Sequence, residues 1–338
     1  MMPLDLTVVG QGAVTPAGTG MDALGAGQVS PVITEELGRP GQVWPVLRVD
    51  LKDASFDHWQ REPRLRRASP ITFFLVEAAS QALGSATAEE RAQTGLIVAY
   101  SAGCLVYSRR FFEQIVRQGQ RAAGPALFPE TVFNSPVSHV ATVLGLNGAA
   151  YAMVGDEGAW ASALITAAVW LKERRVRQVL VLGAEEFDPL VLDAYRSARW
   201  LRHDADGGFL PSEGAAGVLL RAGDGEMGPR IGLVRDGVIH RTRRQAAQAA
   251  TELLCETDPA LPVVATARRN WLASLEQKAL RGRTLAPDLA YLGEAFLASA
   301  AWRMLQALSL LGPASPKVVV PLWGLNHQFG LVELTSGK

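Results

Sequence analysis

Strand-like and helix-like segments alternate along almost the whole chain, and this alternation limits the possible folds more than any single residue does. Leu6–Val9 is apolar and β-branched, a buried strand that Gly10, Gly12, Pro16 and Gly18 then break. Residues 19–60 are rich in Gly and Pro. Val43, Trp44, Val46 and Leu47 still give them material to bury, so they read as a surface excursion and not as a linker. Ser69–Leu83 has a Ser cap, an early Pro and apolar residues at helical spacing, which predicts a helix. Strands follow at Gly95–Tyr100 and Gln178–Gly183, with helices near Arg109–Arg117 and through Ala159–Lys172. Beyond Gly214 come the strands Ala215–Leu220 and Ile231–Ile239, the helix Gln245–Cys255, the strand Leu261–Ala267 and the helix Asn270–Leu280. A short strand, Asp288–Leu292, leads into a long helix, Glu294–Leu311, and Lys317–Leu325 with Gln328–Leu334 form a terminal hairpin. Such alternation implies crossover connections and a mostly parallel sheet covered on both faces.

At 338 residues, 48% of them hydrophobic and 20% charged, the chain can build one large α/β domain or two fused halves. Its 33 basic and 33 acidic residues balance, so no global field favours nucleic acid or an anionic membrane. Cys104 and Cys255 are far apart and lack metal-ligand spacing, which argues against a disulfide framework and a zinc site. No basic leader precedes the first strand and no apolar stretch approaches membrane-spanning length, so the expectation is a soluble cytoplasmic protein with no membrane partner. Gly10-Gln11-Gly12 lacks the third glycine opening a helix that a dinucleotide site needs, since Thr15-Pro16 follows, and no cofactor is expected.

Four segments in order, Val8–Gly18 (VVGQGAVTPAG), Leu127–Gly148 (LFPETVFNSPVSHVATVLGLNG), Gly183–Asp188 (GAEEFD) and Gly208–Leu220 (GFLPSEGAAGVLL), resemble landmarks of the β-ketoacyl-acyl carrier protein synthases. The resemblance covers most of the first two-thirds, and the last third is similar in layout with degraded motifs. It implies an α/β thiolase fold, with two related βα halves in a layered α-β-α-β-α arrangement: residues 1–224, and a shortened half of 225–338. Condensing members carry the acyl chain on a cysteine thiolate at a helix start and use two histidines beside the malonyl thioester.

None of the three groups is present at the matching positions. In VGDEGAWASAL, Asp156 falls at the cysteine with Glu157 beside it. Asp156 is either an N-cap holding the helix or a carboxylate nucleophile, and the anhydride such a nucleophile would form is a poor acyl store. The first histidine motif corresponds to Ala265–Asn270 (ATARRN). The second corresponds to DLAYLGEAFLASAA, with Glu294 at the histidine as a first-turn carboxylate favoured by the helix dipole. The closing glycine loop resembles WGLNHQFG, where Leu325, Asn326 and His327 stand, an Asn-His pair that reads as a turn. Trp160 and Trp323 are candidates to narrow or shape an acyl tunnel. Cys104 and His139 read as inert buried or satisfied groups.

Members that lack the cysteine are commonly chain length factors, so the resemblance implies a non-condensing subunit paired with an active β-ketoacyl synthase and serving an acyl carrier protein. Arginines at Arg61-Arg64-Arg66-Arg67, Arg109-Arg110, Arg241-Arg243-Arg244 and Arg268-Arg269 offer docking patches for an acidic carrier. Two other readings stay open. One is an enzyme using Asp156, Glu157 or Glu294 as acid/base groups; the other is a homodimeric scaffold that binds acyl chains or carrier protein.

Overall fold

The computed structural model describes residues 2–201, 208–223, 228–265, 270–325 and 327–337. The N-terminal half contributes β1 (Met2–Thr15), the short β2 (Gly18–Thr19) and the hairpin β3 (Val32–Glu35) and β4 (Val43–Val46), followed by α1 (Asp57–Arg61), α2 (Pro70–Leu83) and α3 (Ala88–Ala92). Next come β5 (Thr94–Tyr100), α4 (Leu105–Gln118), α5 (Asn134–Leu144), β6 (Ala150–Val154), α6 (Ala159–Lys172), β7 (Gln178–Glu185), α7 (Leu190–Ser197) and β8 (Gly214–Ala222). The rest is β9 (Arg230–Ile239), α8 (Arg243–Cys255), α9 (Asn270–Ala279), α10 (Leu297–Ser309), β10 (Lys317–Trp323) and β11 (Gln328–Thr335).

The pairing of strands is duplicated. In the first half the order is β6-β5-β7-β8-β1, with β5 parallel to β6 and β7 and the remaining pairs antiparallel. In the second, Val263 bridges in parallel to Leu285 and to Val319 of β10, and β10, β11 and β9 pair antiparallel in that order. The two halves meet where Met2–Thr7 of β1 pairs with β9. Helices α6 and α10 pack between the sheets in the largest core cluster, which takes Ile97, Val181 and Val218 from one half and Val320, Leu322 and Val332 from the other. A second cluster places α2 and α5 on the outer face of the first sheet. Helices α8 and α9 add apolar residues beyond the second sheet, which completes the α-β-α-β-α layering.

The large sheet is mostly antiparallel, not mostly parallel as expected, because only β5 pairs in parallel with its neighbours β6 and β7; four local expectations are also corrected. The first strand is not broken at Gly10 and Gly12 but runs on to Thr15. A Cβ at Gly10 would lie 1.9 Å from the Ala82 carbonyl oxygen, and one at Gly12 2.0 Å from that of Ala78, so these glycines let α2 lie flush on β1. Leu261–Ala267 gives only the bridge at Val263, and its last two positions, 266 and 267, lie outside the described residues. Asp288–Leu292 is not a strand; Ala290–Leu292 forms a 3-10 turn. The long helix begins at Leu297, not Glu294, because Gly293 (φ 72°) and Phe296 (φ 45°) turn the chain aside and Glu294 is bridged to Pro211. No described helix is long and apolar enough to cross a membrane.

Replacing Gly12 by Ala is expected to cost about 1–3 kcal/mol by urea denaturation, because the strand and helix backbones must separate. Gly25→Ala, with nothing within 4 Å of the new methyl group, is the matched substitution expected to change little.

Candidate functional site

The two central helices start close to each other, and carboxylates stand ahead of both. Between β6 and α6, Asp156 and Glu157 are buried. Asp156 accepts a hydrogen bond from Gly158 N at 3.2 Å through Oδ1, a local turn contact two residues on; the N-cap of α6 is Gly158 and not Asp156 as expected. Its Oδ2 accepts from Gln328 N of β11 at 3.1 Å. Gly324 fits against this oxygen, where a Cβ would approach within 2.0 Å.

Glu157 faces a different group. Its Oε1 lies 3.0 Å from Nη1 of Arg303 on α10, and Nη2 of the same guanidinium lies 2.8 Å from Oε2 of Glu294. All three side chains are only 1% exposed. Glu294 is therefore not a first-turn residue stabilised by the helix dipole; it sits before α10, where Arg303 holds its charge and its Oε1 accepts from Phe296 N at 2.9 Å. Burial pushes the Glu157 carboxyl well above the usual carboxylate range against the pull of Arg303. Burial also works against the charge on Arg303, but Glu294 and Glu157 outweigh it and raise its pKa. Arg303 Nε and Glu157 Oε2 are buried without a hydrogen-bond partner. The sequence reading missed Arg303. The available signal was Arg303 as the single charged residue in Leu297–Leu308.

The other anticipated positions fall elsewhere. Leu325 is buried and His327 exposed at the β10–β11 turn, where His327 adopts φ 82° and its carbonyl accepts from His240 N at 2.9 Å. With Trp200, His240, Arg243 and Trp271 they border a cavity of about 270 Å3. Ala265 is half-buried; Asn326 and Arg268-Arg269 lie outside the described residues. Trp160 fills space between α6 and α10, its Nε1 directed at the Met304 sulfur at 3.1 Å. Trp323 is buried with its Nε1 on Glu276 Oε1 at 2.5 Å and its ring against Phe329. Tyr195, Trp200, Phe209 and Phe296 form an aromatic cluster that single-sequence reading did not find. Cys104 is buried, its pKa raised by burial, and His139 Nε2 rests 3.0 Å from Glu130. Among the described residues no cluster of three metal-ligating side chains occurs.

Further buried carboxylates brace the loops around this centre. Glu185 accepts from the backbone amides of Ser101, Ala102 and Gly103, and Glu186 from Val106 N at 2.8 Å and Ile71 N at 3.2 Å. Burial pushes Glu185 up to about 7 and Glu186 up to about 8, against these donors. Glu213 ties Arg48 at 2.7 Å to the amides of Val49 and Phe187.

Residues 44–224 match the family described as "Beta-ketoacyl synthase, N-terminal domain". The chain belongs to the β-ketoacyl synthase family. Solved structures with this fold include one described as "The ishigamide ketosynthase/chain length factor", 18% identical, covering 99% of this chain and 100% of that one, TM-score 0.82. A second is the ketosynthase ApeO in complex with its chain length factor ApeC from Xenorhabdus doucetiae, 14% identical over 99% and 98% of the two chains, TM-score 0.78. A third is AntDE:AntF, a type II acyl-carrier protein in complex with its ketosynthase, 16% identical over 99% and 100%, TM-score 0.74. A search of curated protein sequences gave no significant match. In this member of the β-ketoacyl synthase family, Asp156, Glu157 and Glu294 stand ahead of the central helices, with Arg303 on α10 between the two glutamates, and no thiol or imidazole takes part in these hydrogen bonds and ion pairs among the described residues.

Arg303→Met leaves two buried carboxylates uncompensated and is expected to cost about 3–5 kcal/mol in chemical denaturation. Adding Glu157→Gln and Glu294→Gln should recover most of that loss; a triple variant no better than the single one would show that packing, not charge, decides. A second expectation concerns pH. The folded-state values of Glu185 and Glu186 lie above the ordinary 4.5, so the folded chain keeps protons that the unfolded chain has released. The stability they contribute is complete below about pH 4.5 and is lost as pH rises through about 7 and about 8. Urea midpoints for wild type and Glu186→Gln across that range check it: the variant should show the flatter profile.

Proposed function

We propose that this chain is a chain length factor: a non-condensing, cytoplasmic subunit that pairs with an active β-ketoacyl synthase and shapes its acyl tunnel. The pathway class is type II polyketide, polyene or fatty-acid-like biosynthesis, with an acyl carrier protein delivering the chain. Residues 1–224 and 225–338 act as the two halves of one compact unit.

The observation that carries the reading is the state of the sheet edge. Among the described residues strand β6 pairs only with β5, which leaves its other edge open, and the strand carries exposed apolar side chains, Tyr151 53% and Val154 52%. An unpaired apolar edge is a liability in a lone subunit, and pairing with a partner strand removes it. Phe112 on α4, 61% exposed, and Val116, 83% exposed, add apolar surface in the same half, as do Phe128, Val132 and Phe133. Side chains so exposed on a partnered face can form one wall of a tunnel whose chemistry belongs to the other subunit. Trp160 and Trp323 are buried inside this subunit and shape the partner's tunnel only by fixing the core behind that wall. The acid/base enzyme reading is weaker, because Glu157 and Glu294 share one buried guanidinium and are shut away from substrate.

The test is co-expression with an intact condensing enzyme from the same biosynthetic system, native mass determination, and a carrier-protein elongation assay of each subunit alone and together. A one-to-one complex required for elongation is expected; a homodimer that turns over acyl thioesters unaided overturns the proposal. Tyr151→Asp with Val154→Asp should abolish the complex while leaving the far-ultraviolet circular dichroism unchanged, and Phe112→Ala should lengthen the product.

A further inference from the structure

The end of α6 remote from the carboxylate centre carries its own concentration of charge. The sequence Lys172-Glu173-Arg174-Arg175-Val176-Arg177 leaves the helix and enters β7, and a cavity of about 960 Å3 opens there, lined by Lys172, Arg174, Arg175, Arg177, Arg221 and Asn147 among others. Fourteen helical residues place it on the order of 20 Å from Glu157.

Part of this charge is accounted for within the chain. Glu173 takes Arg175 at 2.6 Å, Glu89 lies 4.0 Å from Arg177, and Glu90, which also lines the cavity, takes Arg221 at 3.0 Å. The buried Gln178 accepts from Arg221 Nε at 3.0 Å and fixes the direction of that side chain. Lys172 and Arg174 have no ion-pair partner among the described residues. A cation in the last turn of a helix is favoured by the helix dipole, which accounts for Lys172.

Arg174 is different. It adopts φ 53°, in the turn where Arg174 N bonds to the Leu171 carbonyl and Arg175 N to that of Trp170, each at 3.0 Å. Glycine is the ordinary residue at such a helix-closing position, because a Cβ is strained there. The chain therefore keeps an unpaired guanidinium at the mouth of a basic cavity at the expense of its backbone, a combination associated with binding rather than stability.

We propose that this cleft binds a small molecule bearing adjacent phosphate groups. Its volume suits a single ligand rather than a flat macromolecular surface. Arginine forks from the α6–β7 turn and from β8 suit the dense, multidirectional charge of a diphosphate better than a single carboxylate. No aromatic residue lines the cleft, so the phosphates, and not a stacked base, supply the recognition. This inference does not depend on the heterodimer reading.

The test uses the full chain, with pyrophosphate and tripolyphosphate as probes and malonate and chloride at matched ionic strength as comparisons, followed by calorimetric titration and thermal melting. Wild type should bind the phosphate probes and melt higher in their presence. Arg174→Gly should bind them at least about tenfold more weakly yet melt, without ligand, at or above the wild-type temperature, since the backbone strain is relieved. Arg61→Ala, which removes an exposed arginine elsewhere, should behave as wild type in both respects. Absence of a phosphate-dependent shift in wild type, equal binding of malonate, or undiminished binding by Arg174→Gly each overturns the proposal. So does capture of an acidic protein through Arg174 without binding of either small probe.

Discussion

Arg303 is the charge on which the centre of this molecule depends. Its guanidinium is buried between the carboxylates of Glu157 and Glu294, each of which stands ahead of one of the two central helices. Burying any one of the three alone would cost several kcal/mol, so the arrangement is tolerable only with all three in place. Because one carboxylate belongs to each half of the chain, the triad also fixes how the halves are joined. Helix α10 cannot slide along α6 without stranding a charge. Neither carboxylate lies in the first turn of its helix, so it is the guanidinium of Arg303, and not the helix ends, that draws them together.

Around that centre, close approach of backbones does the remaining work. A Cβ at Gly183 would lie 2.2 Å from the Leu297 carbonyl oxygen, one at Gly217 2.3 Å from that of Val181, and one at Gly214 2.4 Å from that of Val14. These glycines set α10 against β7 and seat β8 between its neighbours. Glu213, next to Gly214, ties three segments through its carboxylate. The segments that resemble condensing enzymes most closely, GAEEFD and PSEGAA, are therefore segments whose residues hold the fold together. Packing accounts for what is retained without any appeal to catalysis.

The same division explains what could be read from the sequence. Helix α6 has the bounds expected from its apolar periodicity, Ala159–Lys172, and most strands differ from expectation by only one or two residues at either end. Asp156 was legible only as a carboxylate next to the start of α6: its Oδ1 accepts from Gly158 N, while Gly158 itself is the N-cap of the helix. Long-range pairing was not legible. Nothing near Arg303 in sequence indicates that Glu157, 146 residues away, will share its charge. The left-handed turn at Phe296 is equally silent, because a bulky residue gives no hint of positive φ, and it is this turn that delays α10 and carries Glu294 out of the helix. Gly10 and Gly12 misled for the opposite reason: glycine signals a break, but here it signals a helix lying directly on the strand.

On the proposed reading, the inner and outer features of the subunit follow from one another. A centre in which Glu157 and Glu294 share the guanidinium of Arg303, all three buried and with Trp160 packed on α6, offers an acyl thioester no exposed group to activate it. Rigidity at that centre is useful to a partner, since a tunnel wall must not collapse when the chain inside it grows. The contacts a partner needs lie at the surface: an unpaired strand edge, with Phe112 and Val116 free to reach into the neighbour. Loss of chemistry thus leaves the packing demands on the fold intact and transfers the functional demand from the pocket to the edge of the sheet.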